Sequence, residues 1–286
     1  MARPERTGIQ LAQTVTQKNL QKLGRVCLAQ PKLNGERCRV HWMDGEPLLL
    51  SSYGNEIFYL EHVKEALKKL PEKLSWDGEI YKHGWPRERI DAAIRTKKKK
   101  HPDNEGLEFH IFDYQDFEVL QYDRAVKLKT IVPHPETGPV VRVYSQQIHT
   151  LDWMGIASDF VQKGYEGIIL RDNLASYYTK RISGMLKFKP SCIDYYMIVG
   201  FNPGTGWCEG MLGSFIVKGH DTTLFSVGTG RALTKEMRQY YWKHRESVFG
   251  HFLKVKHEPL MTSGSIPLCT VALDVVSSIP KEHEDA

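Results

Sequence analysis

The sequence predicts an α+β protein with mostly antiparallel sheets, followed by a small β-barrel. Three observations predict it: short strand and helix patterns alternate through the first two thirds of the chain, the texture changes to Gly- and Asp-punctuated strands after Pro190, and the composition supports a sizeable core. With 286 residues, 41% hydrophobic and 26% charged, two domains are expected. The boundary falls near "KPSC", giving residues 1–190 and 191–286.

The elements follow in order. "RCRVHW" and "PLLLSS" flank the Asp-Gly turn in "MDGE" and read as a hairpin. Ile57, Leu60, Val63, Leu67 and Leu70 then recur at helical spacing until Pro71 ends the run. Strands are expected at "SWDGEIY", "LEFHIFDY", "VVRVY", "GIIL" and "GMLKFK", and helices at "RERIDAAIR" and "DWMGIASDFVQKG". Beyond the boundary, "YYMIVGF", "LGSFIVKG", "TLFSVGTG", "HFLKVKHE" and "LCTVALDVV" are five short strands, with one helix near "TKEMRQYYWKHRE". Five strands and a helix suit a small barrel.

Composition narrows the function. No apolar run approaches the roughly 20 residues that cross a bilayer, and "MARPERTGIQLAQ" lacks the apolar core of a secretory signal. No membrane partner is expected, and a cytoplasmic setting is. The five cysteines, Cys27, Cys38, Cys192, Cys208 and Cys269, are scattered without a C-x-x-C pair, which argues against a disulfide framework or a zinc site. A net charge of +5 favours a polyanionic partner. The lysine run at 97–100 reads as a solvated loop, with contact to a phosphate backbone as its functional alternative.

The chemistry rests on five stretches. "PKLNGER" offers Lys32 and Arg37 around Asn34-Gly35, which alone would also suit a surface turn. Four more follow: "DGEIY" with Glu79, "FHIFDY" with Phe112 and Asp113, "EGIILRD" with Glu166 and Arg171, and "MLKFKP" with Lys187 and Lys189. Together they supply what nucleotidyl transfer needs: cations around phosphates, carboxylates for a divalent metal, and a nucleophile. On a strand, Lys187 and Lys189 share one face, could grip one phosphate, and would crowd Lys32 with like charge, which favours a free amine. No G-x-x-x-x-G-K-[ST] loop occurs, which argues against a P-loop enzyme.

In set, order and spacing these stretches resemble the ATP-dependent DNA ligases, within the covalent nucleotidyltransferase superfamily that also holds RNA ligases and mRNA capping enzymes. The likeness runs from about Gln30 to the mid-270s. It implies a nucleotidyltransferase (adenylation) domain at 1–190 and an OB-fold domain at 191–286, in a minimal two-domain form resembling bacteriophage and bacterial ligases. It further implies that Lys32 attacks the α-phosphate of ATP to form a lysyl-AMP. Gln30, Arg37, Glu79, Phe112 and Ile169 would then bind the nucleotide, Glu166 and Glu79 hold Mg²⁺, and Lys187 and Lys189 grip the AMP phosphate. The partner implied is nicked duplex DNA, bound by a monomer. Only 31 residues precede Lys32, too few for the extra N-terminal domain of NAD-dependent ligases, so ATP is the expected donor.

Three departures from the family pattern stand out. Asn34 replaces the usual Asp, Ser52 stands where an Arg is usual in "SSYGN", and the C-terminal R-x-D-K motif is not recognisable; Lys281 and the lysine run are candidates to replace its cation. An RNA ligase, a capping-type enzyme and a catalytically lapsed nucleic-acid binder remain the alternatives.

Overall fold

The computed structural model describes residues 6, 8–132, 138–258, 267 and 270–280. The chain separates into two compact units, Met1–Lys189 and Pro190–Ala286. The architecture is α+β with largely antiparallel sheets, and among the described residues no helix is long and apolar enough to cross a membrane.

The first unit runs β1 (Leu11–Thr14), α1 (Gln17–Leu20), β2 (Val26–Lys32), β3 (Glu36–Met43), β4 (Glu46–Ser51), α2 (Glu61–Lys68), β5 (Trp76–Tyr81), α3 (Arg87–Ile94), β6 (Glu108–Tyr114), α4 (Gln121–Ile131), β7 (Val140–Arg142), β8 (Gln146–His149), α5 (Trp153–Gln162), β9 (Gly167–Asp172) and β10 (Arg181–Phe188). Two five-stranded sheets result, in the orders β1-β10-β9-β2-β8 and β4-β3-β5-β6-β7. The pairs β1–β10 and β6–β7 are parallel; the other pairs are antiparallel.

The β3–β4 hairpin forms as its Asp-Gly signal predicts, with Asp44 at φ 51° and Gly45 at φ 86°, the left-handed pair that a two-residue turn needs. The helix expected over residues 57–70 is shorter. It begins after Leu60 because Tyr59 is left-handed at φ 62°, which no right-handed helix can include, while Ile57 still pairs with β4 through its N–H to Leu49 C=O at 2.9 Å. Val63 and Leu67 on its inner face join Trp76, Ile80, Phe109 and Ile111 in one core. Each such side chain contributes about 1.5–3 kcal/mol on burial. The other sheet has its own core, in which Ala157 and Phe160 of α5 cover Ala29, Ile168 and Leu170. Helix α4 lay outside the sequence expectations. Its buried face consists of Gln121, Arg124 and Leu128, so polar groups mask its periodicity.

The second unit comprises β11 (Cys192–Pro203), β12 (Leu212–Lys218), β13 (Leu224–Val227), α6 (Lys235–Lys243), α7 (Arg245–Val248), β14 (Phe252–His257) and β15 (Val271–Val276). The five strands expected form one antiparallel sheet, β13-β12-β11-β14-β15. Part of the last expected strand, Leu268 and Cys269, lies outside the described residues. Beyond β13 the chain turns back on the far edge: Ala272 N–H donates to Thr229 C=O at 2.7 Å, and Ala232 N–H to Ala272 C=O at 3.3 Å. Helix α6 is capped by the Thr234 hydroxyl, which accepts from Met237 N–H at 3.2 Å. Buried Arg238 on that helix donates to the carbonyls of Leu212, Gly213, Gly228 and Leu233 at 2.6–3.1 Å.

Candidate active site

A cleft of about 490 Å³ in the first unit gathers residues from both sheets, among them Gln30, Lys32, Arg37, Glu79, Phe112, Glu166, Ile169 and Lys187. Strand register explains much of the assembly. In one sheet Gln30 lies opposite Ile169, and Ile169 opposite Lys187. Directly paired residues share a face, so a polar amide, an aliphatic side chain and a cation form one row across β2, β9 and β10. In the other sheet Arg37 lies opposite Glu79.

Lys32 ends β2, and the next three residues carry the chain into the other sheet. Asn34-Gly35 is therefore not a surface turn of a hairpin. Gly35 is buried, and a Cβ there would lie 2.2 Å from Ile80 C=O; only glycine allows this approach. Gly35 N–H donates to Glu79 Oε1 at 3.1 Å, which ties the crossing to β5.

Lys32 Nζ is bonded to Glu166 Oε2, and Lys189 Nζ reaches Glu166 Oε1 at 3.1 Å. An ion pair thus meets the nucleophile candidate in addition to the like charge of Lys187 that the sequence suggested. Glu166 follows the stop of α5 at Gly164, φ 85°, a left-handed position beyond the helix end. Its N–H donates to Lys32 C=O at 3.0 Å, so backbone as well as side chain joins the two residues. Gly167 beside it is another close crossing, its Cβ position 2.2 Å from Phe188 C=O. Lys187 lines the cleft and has no carboxylate partner within 4 Å among the described residues. Burial first, then the Lys32, Arg181 and Arg6 cations, push its ammonium below the usual lysine range, against a smaller pull from Glu166.

Burial pushes the Glu79 carboxyl up to about 7, with Lys32, Arg37 and Arg87 acting in the opposite sense. Arg37 is bidentate on Asp77, Nε and Nη2 at 2.6 Å from the two oxygens. The completely buried Asp77 also accepts from Tyr177 O–H at 2.7 Å.

Phe112 is placed by an irregularity. Asp77 pairs with Asp113 and Gly78 with Ile111, so Phe112 is the extra residue of a β-bulge, a device that re-aims one side chain. Its ring lies 4.6 Å from Arg37 Cζ and 5.2 Å from Arg171 Cζ. Behind it, Asp113 takes Arg124 at 2.8 and 3.2 Å and Arg171 at 3.0 Å. Gln30 Nε2 donates to Phe112 C=O at 3.0 Å and Gln30 Oε1 accepts from Arg171 Nε at 2.8 Å. Gln30 thus bridges the two sheets beside the cleft.

The sequence picked out Asp113 and Arg171 without a role, and missed Asp77, Tyr177, Gln121 and Arg124. The signal available for the last two was a glutamine and an arginine at i and i+3 on the face of a helix that also carries Leu128. Ser52 is 3% exposed and lines the cleft, as do Arg6, Arg87, Arg95 and Arg181. Lys281 lies outside the described residues. Glu36, Glu79 and Glu166 all line the cleft, and a pair of such carboxylates suits Mg²⁺, which takes one or two protein carboxylates and completes its shell with water and phosphate oxygens.

The family model of the ATP-dependent DNA ligase domain matches residues 9–189. A DNA ligase of Haemophilus influenzae is 28% identical over 160 residues, 54% of this chain and 57% of that protein. The chain spans about half the length of the curated relatives it matches. A Lig E DNA ligase structure is similar in fold, with a TM-score of 0.73 at 21% identity over 94% of this chain and 98% of that one. Chlorella virus DNA ligase-adenylate gives 0.52 at 23% identity over 96% and 99%. Since the family match runs from residue 9 to the end of the unit that builds the cleft and takes in well over half of the chain, the chain belongs to the ATP-dependent DNA ligase family.

Proposed function

We propose that the protein seals nicks in duplex DNA with ATP, acting as a monomer. Residues 1–190 would form the adenylation domain and 191–286 an OB-fold barrel. The observation that carries this reading is the meeting of Lys32, Glu166 and Lys187 with Arg37, Glu79 and Phe112 in one cleft. The hydrogen bonds that Ala272 of β15 donates to Thr229 C=O and accepts from Ala232 N–H support a sheet curling towards closure.

In this reading Lys32 Nζ, after giving up a proton, attacks the α-phosphorus of ATP. A P–N bond forms, the α–β phosphoanhydride breaks and pyrophosphate leaves. An oxygen of the DNA 5′-phosphate then attacks the same phosphorus, breaking the P–N bond and returning the amine to Lys32. Attack of the 3′-hydroxyl on the activated 5′-phosphate forms the phosphodiester and releases AMP. Lys187 and Lys189 hold the AMP phosphate through these steps, Phe112 and Ile169 flank the base, and Arg37 and Glu79 contact the ribose or outer phosphates. Gln30 acts through Phe112 and Arg171, which it fixes. Glu166 and Glu79 would hold Mg²⁺, which screens phosphate charge when bound.

The test is incubation with α-labelled ATP or GTP and Mg²⁺, beside Lys32→Ala, followed by denaturing electrophoresis and a chase with nicked DNA or nicked RNA duplex. Label from ATP alone, absent in the variant and discharged by nicked DNA with sealing, is expected. Labelling by GTP, discharge only by RNA, or tight DNA binding without any label would each overturn the reading.

A further inference from the structure

We infer that the lysine run Lys97–Lys99 is a docking site for the DNA phosphate backbone, an extension of the cleft's cationic rim that acts on DNA and not on ATP. The inference rests on the function proposed above.

The location comes first. Arg87 and Arg95, at the two ends of α3, both line the cleft, and the lysines begin two residues after Arg95. Tyr59 O–H donates to Lys97 C=O at 3.1 Å, which pins the run beside the segment that follows the cleft residues Ser52 and Tyr53. Tyr59 itself sits at φ 62°, a left-handed conformation that non-glycine residues uncommonly adopt. The Lys97 carbonyl is thus held by a specific bond from a side chain 38 residues earlier.

The charges come second. Every carboxylate paired in this neighbourhood has another partner: Asp91 takes Arg87 and Arg95, Asp103 takes Arg89, and Glu105 takes Lys100. Lys97, Lys98 and Lys99 are exposed and have no acidic partner within 4 Å among the described residues. Adjacent like charges repel. The C-terminal dipole of α3 compensates only cations in or next to its last turn, and that helix ends at Ile94. A phosphodiester backbone, with a negative charge every few ångströms, matches three exposed cations in sequence.

The experiment compares the 286-residue protein with a triple variant, Lys97→Ala, Lys98→Ala and Lys99→Ala, and with the corresponding triple arginine variant. Binding to a nicked duplex is measured across a salt series, and self-adenylation with labelled ATP is measured in parallel. The alanine variant should reduce the slope of log affinity against log salt by about 2–3, from up to three lost phosphate contacts, while self-adenylation stays unchanged and the arginine variant keeps the slope. An unchanged slope overturns the inference, as does loss of self-adenylation with DNA affinity intact, which would assign the lysines to the nucleotide phosphates. A wild-type protein that binds DNA but never seals it overturns the ligase reading alone, because the slope comparison still decides the lysine site.

Discussion

Arg37 and Asp77 form a two-pronged ion pair inside the first unit, with both N–O distances at 2.6 Å and the Asp77 carboxylate completely buried. Removing one charge of such a pair strands the other in a poorly solvated place. Asp77→Asn, which turns an amide N–H₂ towards the guanidinium, should cost about 3–5 kcal/mol. The check is the urea midpoint of the variant; a loss under about 1 kcal/mol would mean that Arg37 finds another acceptor.

Glu79 should leave a signature in the pH dependence of stability. Its carboxyl titrates near 7 in the fold against 4.5 ordinarily, so between those values the folded chain keeps a proton that the unfolded chain has lost. This contribution is complete below about 4.5 and is lost as pH rises through about 7. Glu79→Gln carries no titrating group and should flatten that part of the curve. Unfolding midpoints of both proteins, taken from pH 4 to 8 without nucleotide or Mg²⁺, compare the slopes; parallel curves refute the assignment.

Gly35→Ala forces a Cβ to within 2.2 Å of the Ile80 carbonyl, and the neighbour is backbone, which cannot rotate away. A destabilisation of about 1–3 kcal/mol or more is expected, with self-adenylation falling further than stability because Lys32 is three residues away. Thermal melts and a labelling time course separate the two effects, and a variant with wild-type behaviour in both would show that the crossing is pliable.

Phe112→Ala should raise the ATP concentration needed for half-maximal self-adenylation by about 2- to 10-fold, from the roughly 0.5–1.5 kcal/mol that aromatic stacking supplies, with Phe112→Tyr close to wild type. An alanine variant that loses rate at saturating ATP without any change in that concentration argues against a stacking role.

Arg238→Met removes a guanidinium that satisfies four carbonyls in the second unit. Stranded carbonyls predict a loss of about 2–4 kcal/mol. Amide exchange should accelerate in β12 and β13 while the sheets of the first unit keep their protection; uniform acceleration would contradict a local role.

What the sequence determined by itself was mainly the local structure and the chemical inventory. Alternation and turn residues located the β3–β4 hairpin, the strands around Glu79, Phe112 and Lys187, and the five strands after Pro190, because those signals are read over a few neighbouring residues. The residue types in five stretches also carried the likeness to the ATP-dependent DNA ligase family, whose model matches residues 9–189. The tertiary structure decided what each side chain faces. Asn34-Gly35 reads as a turn, yet it is a crossing between sheets with Gly35 buried, since the carbonyl that demands glycine belongs to Ile80. Phe112 reads as one more alternating strand residue, yet a bulge set by the pairing of β5 with β6 turns it to the cleft. Lys32 reads as a nucleophile crowded by Lys187 and Lys189, and the structure adds Glu166, 134 residues along the chain, as its ion-pair partner. Pairing partners distant in sequence fix such relations, and no local pattern encodes them.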